Sequence, residues 1–438
     1  MTRSAITTTT ATAPPRLSLG RLLTWGGFAL LLIVSPLVFT SNLSITMLAQ
    51  MGIAIVACLS YNILLGQGGM LSFGHAVYTG LGSYVAIHAL NAVSAGRWHI
   101  PVSLLPLIGG FAGLFFAVLL GYVTTKRAGT TFAMITLGIG ELVFAMSLMV
   151  PEFFGGEAGV SGNRVVGQPF MGISYGPARQ LYYLIAVYTF ISVLLMYAFT
   201  QTPLGRILNA VRDNPERVEF IGYNSQRVRY LAFIVAGFFA GIAGGLGALQ
   251  FELVTAEVVG ANRSGAYLLF TFLGGATFFF GPIIGGVLMV IAFVLLSELT
   301  KAWLLYLGLV FVFMVMYAPG GIASLIMMNL RVAAHGKFAR IAPHLLMLLV
   351  ASVVMLLGAG ALIEMIYHLQ LNRAMGDEVR YLGLTLHAAS AAHWAVALAL
   401  FALGAGMLEW ARRRYARVWG SVNAEIEQTL KRQQEAAA

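Results

Sequence analysis

One carboxylate, Glu141, stands inside an otherwise apolar run over residues 130–150. An ionisable group at that depth in a membrane helix marks function by default, and the other reading is a neutral carboxyl bonded between helices. His75 follows a glycine-rich stretch and reads as a helix-cap or packing histidine, with a ligand as the alternative. Glu298 and Lys301 are expected to pair in water, which contributes about 0–1 kcal/mol. Glu364 is expected to snorkel from an outer helix end. The single cysteine, Cys58, excludes a disulfide framework within the chain and a cysteine-based metal site. His88, His344 and His393 have no metal-ligand spacing, so no metal site is expected. There is no G-x-x-x-x-G-K-[ST], H-E-x-x-H or G-x-S-x-G motif. The chain is therefore expected to be no enzyme and to hold no cofactor of its own.

The densest polar chemistry lies at residues 201–229, QTPLGRILNAVRDNPERVEFIGYNSQRVR. A short helix is marked at both ends there. Asn214 suits the N-cap and Pro215 the first helical position. Glu216 complements the positive end of the dipole, and Gly222 is a natural stop. Val218 and Ile221 are spaced to share a face. Arg212, Asp213 and Arg217 supply charge around it. So short a helix is not stable alone. It lies on the membrane surface or on its own loops, or it inserts into a cytoplasmic partner.

Two glycine-rich stretches interrupt apolar runs: LLGQGGMLSFG at 64–74 and LGGATFFFGPIIGG at 273–286. Broken backbone at membrane depth is tolerated where it is buried or lines a cavity, and paired interruptions point to a transport pathway. The candidates are Gly66, Gly68, Gly69, Ser72, His75, Gly274, Gly275 and Phe279, together with Glu141, on spans around 66–84, 131–141 and 268–286. The alternative is two tight turns. Phe278, Phe279 and Phe280 form either a hydrophobic gate or lipid-facing bulk. Small residues four apart, as at Gly237, Gly241 and Gly245 or Gly109 and Gly113, suit close helix packing within the chain.

The elements that must position these residues follow from composition. Of 438 residues, 59% are hydrophobic and only 10% charged, against about 25% charged in soluble proteins. That excludes an ordinary soluble enzyme and a disordered chain. The fold class is an all-α polytopic membrane protein. Twelve apolar segments can be drawn, near 22–40, 43–65, 75–95, 102–124, 130–150, 179–200, 230–252, 264–280, 282–299, 302–318, 343–367 and 389–411. The first is expected to be a retained helix rather than a cleaved signal. Residues 1–20 read as a mobile cytoplasmic tail. With both termini in the cytoplasm, most of the 26 basic residues fall inside, including Lys126, Arg127, Arg206, Arg212, Arg217, Arg227, Arg229 and Arg412 to Arg414. This explains the net charge of +10 without nucleic acid.

Several blocks in order carry a family resemblance: LSYNILLGQGGMLSFGHAVYTGLGSY at 59–84, TFAMITLGIGELV at 131–143, TPLGRILNAVRDNPERVEFIG at 202–222, LAFIVAGFFAGIAGGLGAL at 231–249, LGGATFFFGPIIGG at 273–286 and YAPGGI at 317–322. Over about 43–324 the chain resembles permeases of branched-chain amino acid ABC importers, of the LivM type. The resemblance implies a ten-helix permease core over 21–324, with a coupling helix between the sixth and seventh spans. Arg212, Asp213, Asn214, Pro215, Glu216, Arg217 and Gly222 would form that coupling element. It also implies a sister permease of the LivH type, two cytoplasmic ATPase subunits that hold ATP and Mg, and a periplasmic solute-binding protein, in a bacterial inner membrane. The cargo would be a branched-chain amino acid or a similar small polar organic solute. An ion-gradient-driven secondary transporter is the rival reading. The loop FFGGEAGVSGNRVV and the ending YAPGGI depart from the family pattern, and residues 325–438 add two spans and a charged tail beyond its core.

Overall fold

The computed structural model describes residues 19–166, 173–371, 377–381 and 383–437. Most of the expected N-terminal tail lies outside them. Each of the twelve expected segments contains a helix, but the eighth, expected over 264–280, ends at Gly274. In chain order the helices are α1 (Leu19–Val38), α2 (Asn42–Asn62), α3 (Ala76–Ser94), α4 (Leu105–Thr124), α5 (Gly129–Met149), α6 (Pro151–Phe154), α7 (Ala178–Gln201), α8 (Pro203–Asp213), α9 (Pro215–Phe220) and α10 (Ser225–Phe251). Then come α11 (Ala261–Gly274), α12 (Gly281–Val290), α13 (Ser297–Leu299), α14 (Trp303–Tyr317), α15 (Gly321–Ala334), α16 (Phe338–Leu371) and α17 (Ala391–Ala437). Two π-helical turns, Ile63–Gln67 and Ile291–Leu296, extend α2 and join α12 to α13.

Among the described residues, eight helical stretches are long and apolar enough to cross a membrane, or nine if α14 and α15, bent by 48°, count as one span. Four of the twelve segments fall short of that standard: α1, α3, α11 and α14 alone. For α3 the cause is burial. Thr79, Gly80, Ser83 and Tyr84 are all enclosed by protein, so this helix can carry small and polar side chains where a lipid-facing one could not.

The core is centred on α2, α3, α4 and α10. Lipid tails are as apolar as leucine, so close backbone approach must replace a hydrophobic driving force. Glycines permit it. A methyl group at Gly82 would sit 2.7 Å from the Gly241 Cα, and one at Gly113 would sit 2.8 Å from it. Gly237, Gly241 and Gly245 of α10 thus face Gly109 and Gly113 of α4, as their spacing predicts.

At one end, β1 (Val160–Ser161) pairs antiparallel with β2 (Leu253–Val254). Arg164 ties this cap down. Its Nη1 lies 3.3 Å from Glu252 Oε2, and its Nε donates to the Tyr175 carbonyl at 2.9 Å. Residues 325–438 add α16 packed along α17, topped by the hairpin β3 (Glu378–Tyr381) and β4 (Leu384–His387).

Candidate functional site

The short helix predicted after Asn214 is present. The Asn214 Oδ1 accepts the Arg217 N–H at 3.0 Å, and Pro215 opens the helix. Gly222, at φ +91°, turns the chain out of it. Upstream, Thr202 caps α8 by accepting the Gly205 N–H at 3.2 Å. Val218 is 3% exposed and roots α9 in the protein. Ile221 does not share that buried face: α9 ends at Phe220, and Ile221 is 71% exposed. Phe220 itself is 90% exposed. Sequence reasoning missed this apolar tip, whose signal was an aromatic residue closing a capped helix in a charged loop.

Arg212 connects this loop to the first glycine-rich stretch. Its Nη1 donates to the Gly66 carbonyl, and its Nε donates to Asp213 Oδ1 at 3.0 Å. Beside it, Asn209 Nδ2 donates to Gln67 Oε1 at 3.0 Å. A methyl group at Gly69, where φ is +64°, would sit 2.7 Å from the Arg212 Cγ. One at Gly68 would sit 3.3 Å from Leu208. The π turn and the glycines after it therefore form a seat for α8.

The second stretch closes on the same place. A methyl group at Gly66 would collide with the Ala276 carbonyl oxygen, and one at Gly274 with the Gly281 carbonyl oxygen. Gly275, at φ +114°, lies against Gly320, where an added methyl would be 2.6 Å from the carbonyl oxygen. So Gly66, Gly68, Gly69, Gly274 and Gly275 make tight contacts and turns. Ser72 is buried, and its carbonyl accepts from the Tyr61 hydroxyl at 2.9 Å. His75 is buried too; its Nε2 shares a hydrogen bond with Ser60 Oγ at 2.9 Å and its ring meets Tyr61 edge-on. Phe279 packs edge-on to Tyr197 with centroids 5.3 Å apart.

Glu141 lies apart from this cluster. It lines an open cavity of about 600 Å³ with Phe144, Glu257, Asn262, Arg263 and Phe293. A smaller inner cavity of about 100 Å³ shares Arg263 and Phe293 and adds Gln50, Thr79, Ser83 and Tyr267. Among the described residues the side chains of Glu141, Glu257 and Arg263 form no hydrogen bond or ion pair. Among the described residues, Glu141 has no hydrogen-bond partner on another helix. Sequence reading nominated Glu141 but missed Glu257 and Arg263, which converge on it only through the fold.

Two other expectations change. Glu298 and Lys301 do not pair; α13 ends at Leu299, and Thr300 turns into extended backbone between them. Glu364 does not reach out to the interface: it accepts from the Thr300 hydroxyl and, at 3.3 Å, from the Tyr306 hydroxyl, tying α16 to the start of α14. No group of three or more His, Cys, Asp or Glu among the described residues could hold a metal ion.

Comparison with known proteins agrees with this architecture. Residues 43–319 match the family described as the branched-chain amino acid transport system permease component. The chain is 27% identical over 311 residues to the high-affinity branched-chain amino acid transport permease LivM of Escherichia coli, covering 66% of this chain and 72% of that one. It is 25% identical over 249 residues to BraD of Pseudomonas aeruginosa, covering 53% and 78%. It is also 25% identical over 247 residues to the probable permease LivH of Methanocaldococcus jannaschii, covering 54% and 76%. No solved structure matches significantly. The match spans the buried helices, the loop at 201–229 and both glycine-rich stretches, and this multi-pass membrane protein belongs to the family of permease components of branched-chain amino acid transport systems.

Proposed function

We propose that this chain is the transmembrane permease subunit of an ATP-driven importer that moves a branched-chain amino acid or a similar small polar organic solute. The observation that carries the reading is α9: a capped helix rooted by Val218, tipped by exposed Phe220, and linked through Arg212 to the Gly66 carbonyl. Such a lever can pass a push on its tip into the helix core. Two cytoplasmic ATPase subunits, which bind ATP and Mg, supply the push. A sister permease of the LivH type completes the translocation unit, and a periplasmic binding protein delivers the solute. The chain itself holds no nucleotide and acts in the cell membrane, with both termini in the cytoplasm. A carrier driven by an ion gradient is not favoured, because it leaves α9 without a purpose.

The test is affinity purification in mild detergent, followed by reconstitution with the binding protein. Co-purification of a second permease and a P-loop ATPase, with ATP-dependent uptake blocked by orthovanadate, is expected. Recovery of the chain alone, with uptake driven by an ion gradient, would sink the proposal.

A further inference from the structure

The open cavity beside α5 holds three ionisable side chains, and among the described residues none of them has an ion-pair or hydrogen-bond partner. Glu141 comes from α5, Glu257 from the 3-10 turn Ala256–Val259, and Arg263 from the first turn of α11. Asn262 lies beside them, and Phe144, Ala266 and Phe293 supply apolar wall. Glu141 stands thirteen residues into the 21-residue α5, which crosses at membrane depth. An unpaired ionisable group at that depth is costly and persists where it faces water, a partner or a solute; Glu257 and Arg263 join it from the turn and helix start at the end of the neighbouring spans. The wall also has a local irregularity: Phe293 sits on the π turn Ile291–Leu296, a distortion often found at functional sites.

We infer that this cavity is a recognition site for a small solute carrying both an ammonium and a carboxylate group, an α-amino acid with an apolar side chain. The inference rests on the importer reading and adds the residues that recognise the solute in the membrane. Arg263 binds the carboxylate with its guanidinium fork, whose geometry matches two carboxylate oxygens. Glu141 and Glu257 receive the ammonium group. Phe144, Ala266 and Phe293 contact the side chain. Carboxylates outnumber the cation, so the cavity disfavours purely anionic solutes. Arg263 and Phe293 also line the inner cavity, which places them between the open mouth and the polar groups of Thr79, Ser83 and Tyr267.

The experiment uses the whole importer, purified through this chain, reconstituted with its unaltered binding protein and tested with leucine. Because the binding protein is the same in every sample, differences arise in the membrane. Arg263→Gln and the pair Glu141→Gln with Glu257→Gln are each expected to lower uptake by about tenfold or more, the scale of a lost charge-assisted hydrogen bond. ATP hydrolysis and recovery of the second permease are expected to persist. Arg263→Lys, which keeps the charge but loses the fork, is expected to restore part of the uptake. Unimpaired uptake by all of these variants would overturn the site. So would loss of the second permease from the neutralised variants, since the charges would then be interface pairs. Absence of ATP-dependent uptake in the unaltered complex would instead remove the importer reading on which the site rests.

Discussion

At the scale of single residues, the hydrogen bond from Arg212 to the Gly66 carbonyl ties the loop at 201–229 to the helix core, and the proposed coupling runs through it. Gly69 makes room for it. An alanine there must adopt the left-handed region, which costs about 1–2 kcal/mol. It would also displace the Arg212 side chain, whose Cγ lies 2.7 Å from the added methyl. Gly69→Ala is expected to lower the thermal midpoint of the purified chain and to raise the ATP used per solute moved. The double variant Arg212→Glu, Arg217→Glu is expected to insert normally but to lose uptake by about tenfold or more while ATP hydrolysis continues, because a hydrogen bond to a charged group is worth about 1.5–3 kcal/mol. Coupled uptake at the normal rate in that variant would count against the lever.

At the scale of elements, α9 has only six residues and cannot stand unsupported. Its cap and buried Val218 hold it in place, so Phe220 is presented on a fixed base. If that tip enters an ATPase pocket, it acts as an interface anchor of about 2 kcal/mol or more. Phe220→Ser is therefore expected to weaken ATPase retention by about thirtyfold without changing the helicity of the chain. Pull-down across a salt series and circular dichroism check the two halves. The two π turns serve both proposed sites: one places Gly66 against Arg212 of α8, and the other places Phe293 in the wall of the charged cavity.

At the scale of the whole molecule, the family match ends at residue 319, and α16 and α17 follow it. They form small cores of their own, one of them shared with α15 through Val332. Ala361, Met365 and Ala397 lie in one, and Val332, Ile341, Val422 and Ile426 in another. The 47 residues of α17 reach about 70 Å, against roughly 30 Å of bilayer hydrocarbon, so its end stands well clear of the membrane. Lys337 and Arg340 hold that end through Glu425, at 2.5 and 3.2 Å. The pairs are partly exposed, so their contribution is modest. A chain truncated after residue 336 is expected to insert, to keep its ATPase partner and to retain uptake. Failure to insert would make the hairpin part of the folding unit, with Glu364 on Thr300 and Tyr306 as the contact to examine next.

The membrane class, the helical segments, the cap at Asn214 and the glycine faces of α4 and α10 were all legible in the amino-acid order. Each depends on local physics: apolar length, a side chain reaching a nearby N–H, or small residues one turn apart. The charged cavity was not legible. Glu141, Glu257 and Arg263 lie on three elements separated by more than a hundred residues at the widest, and no local rule relates them. Nor could the sequence tell that the first glycine-rich stretch seats α8 while the second closes on it at Gly66 through Ala276, since a glycine that opens a pathway and one that admits a neighbouring backbone look alike until the neighbour is known. Local periodicity determined which segments are helices; which faces they bury, and which charges they leave unanswered, was decided only when distant helices packed together.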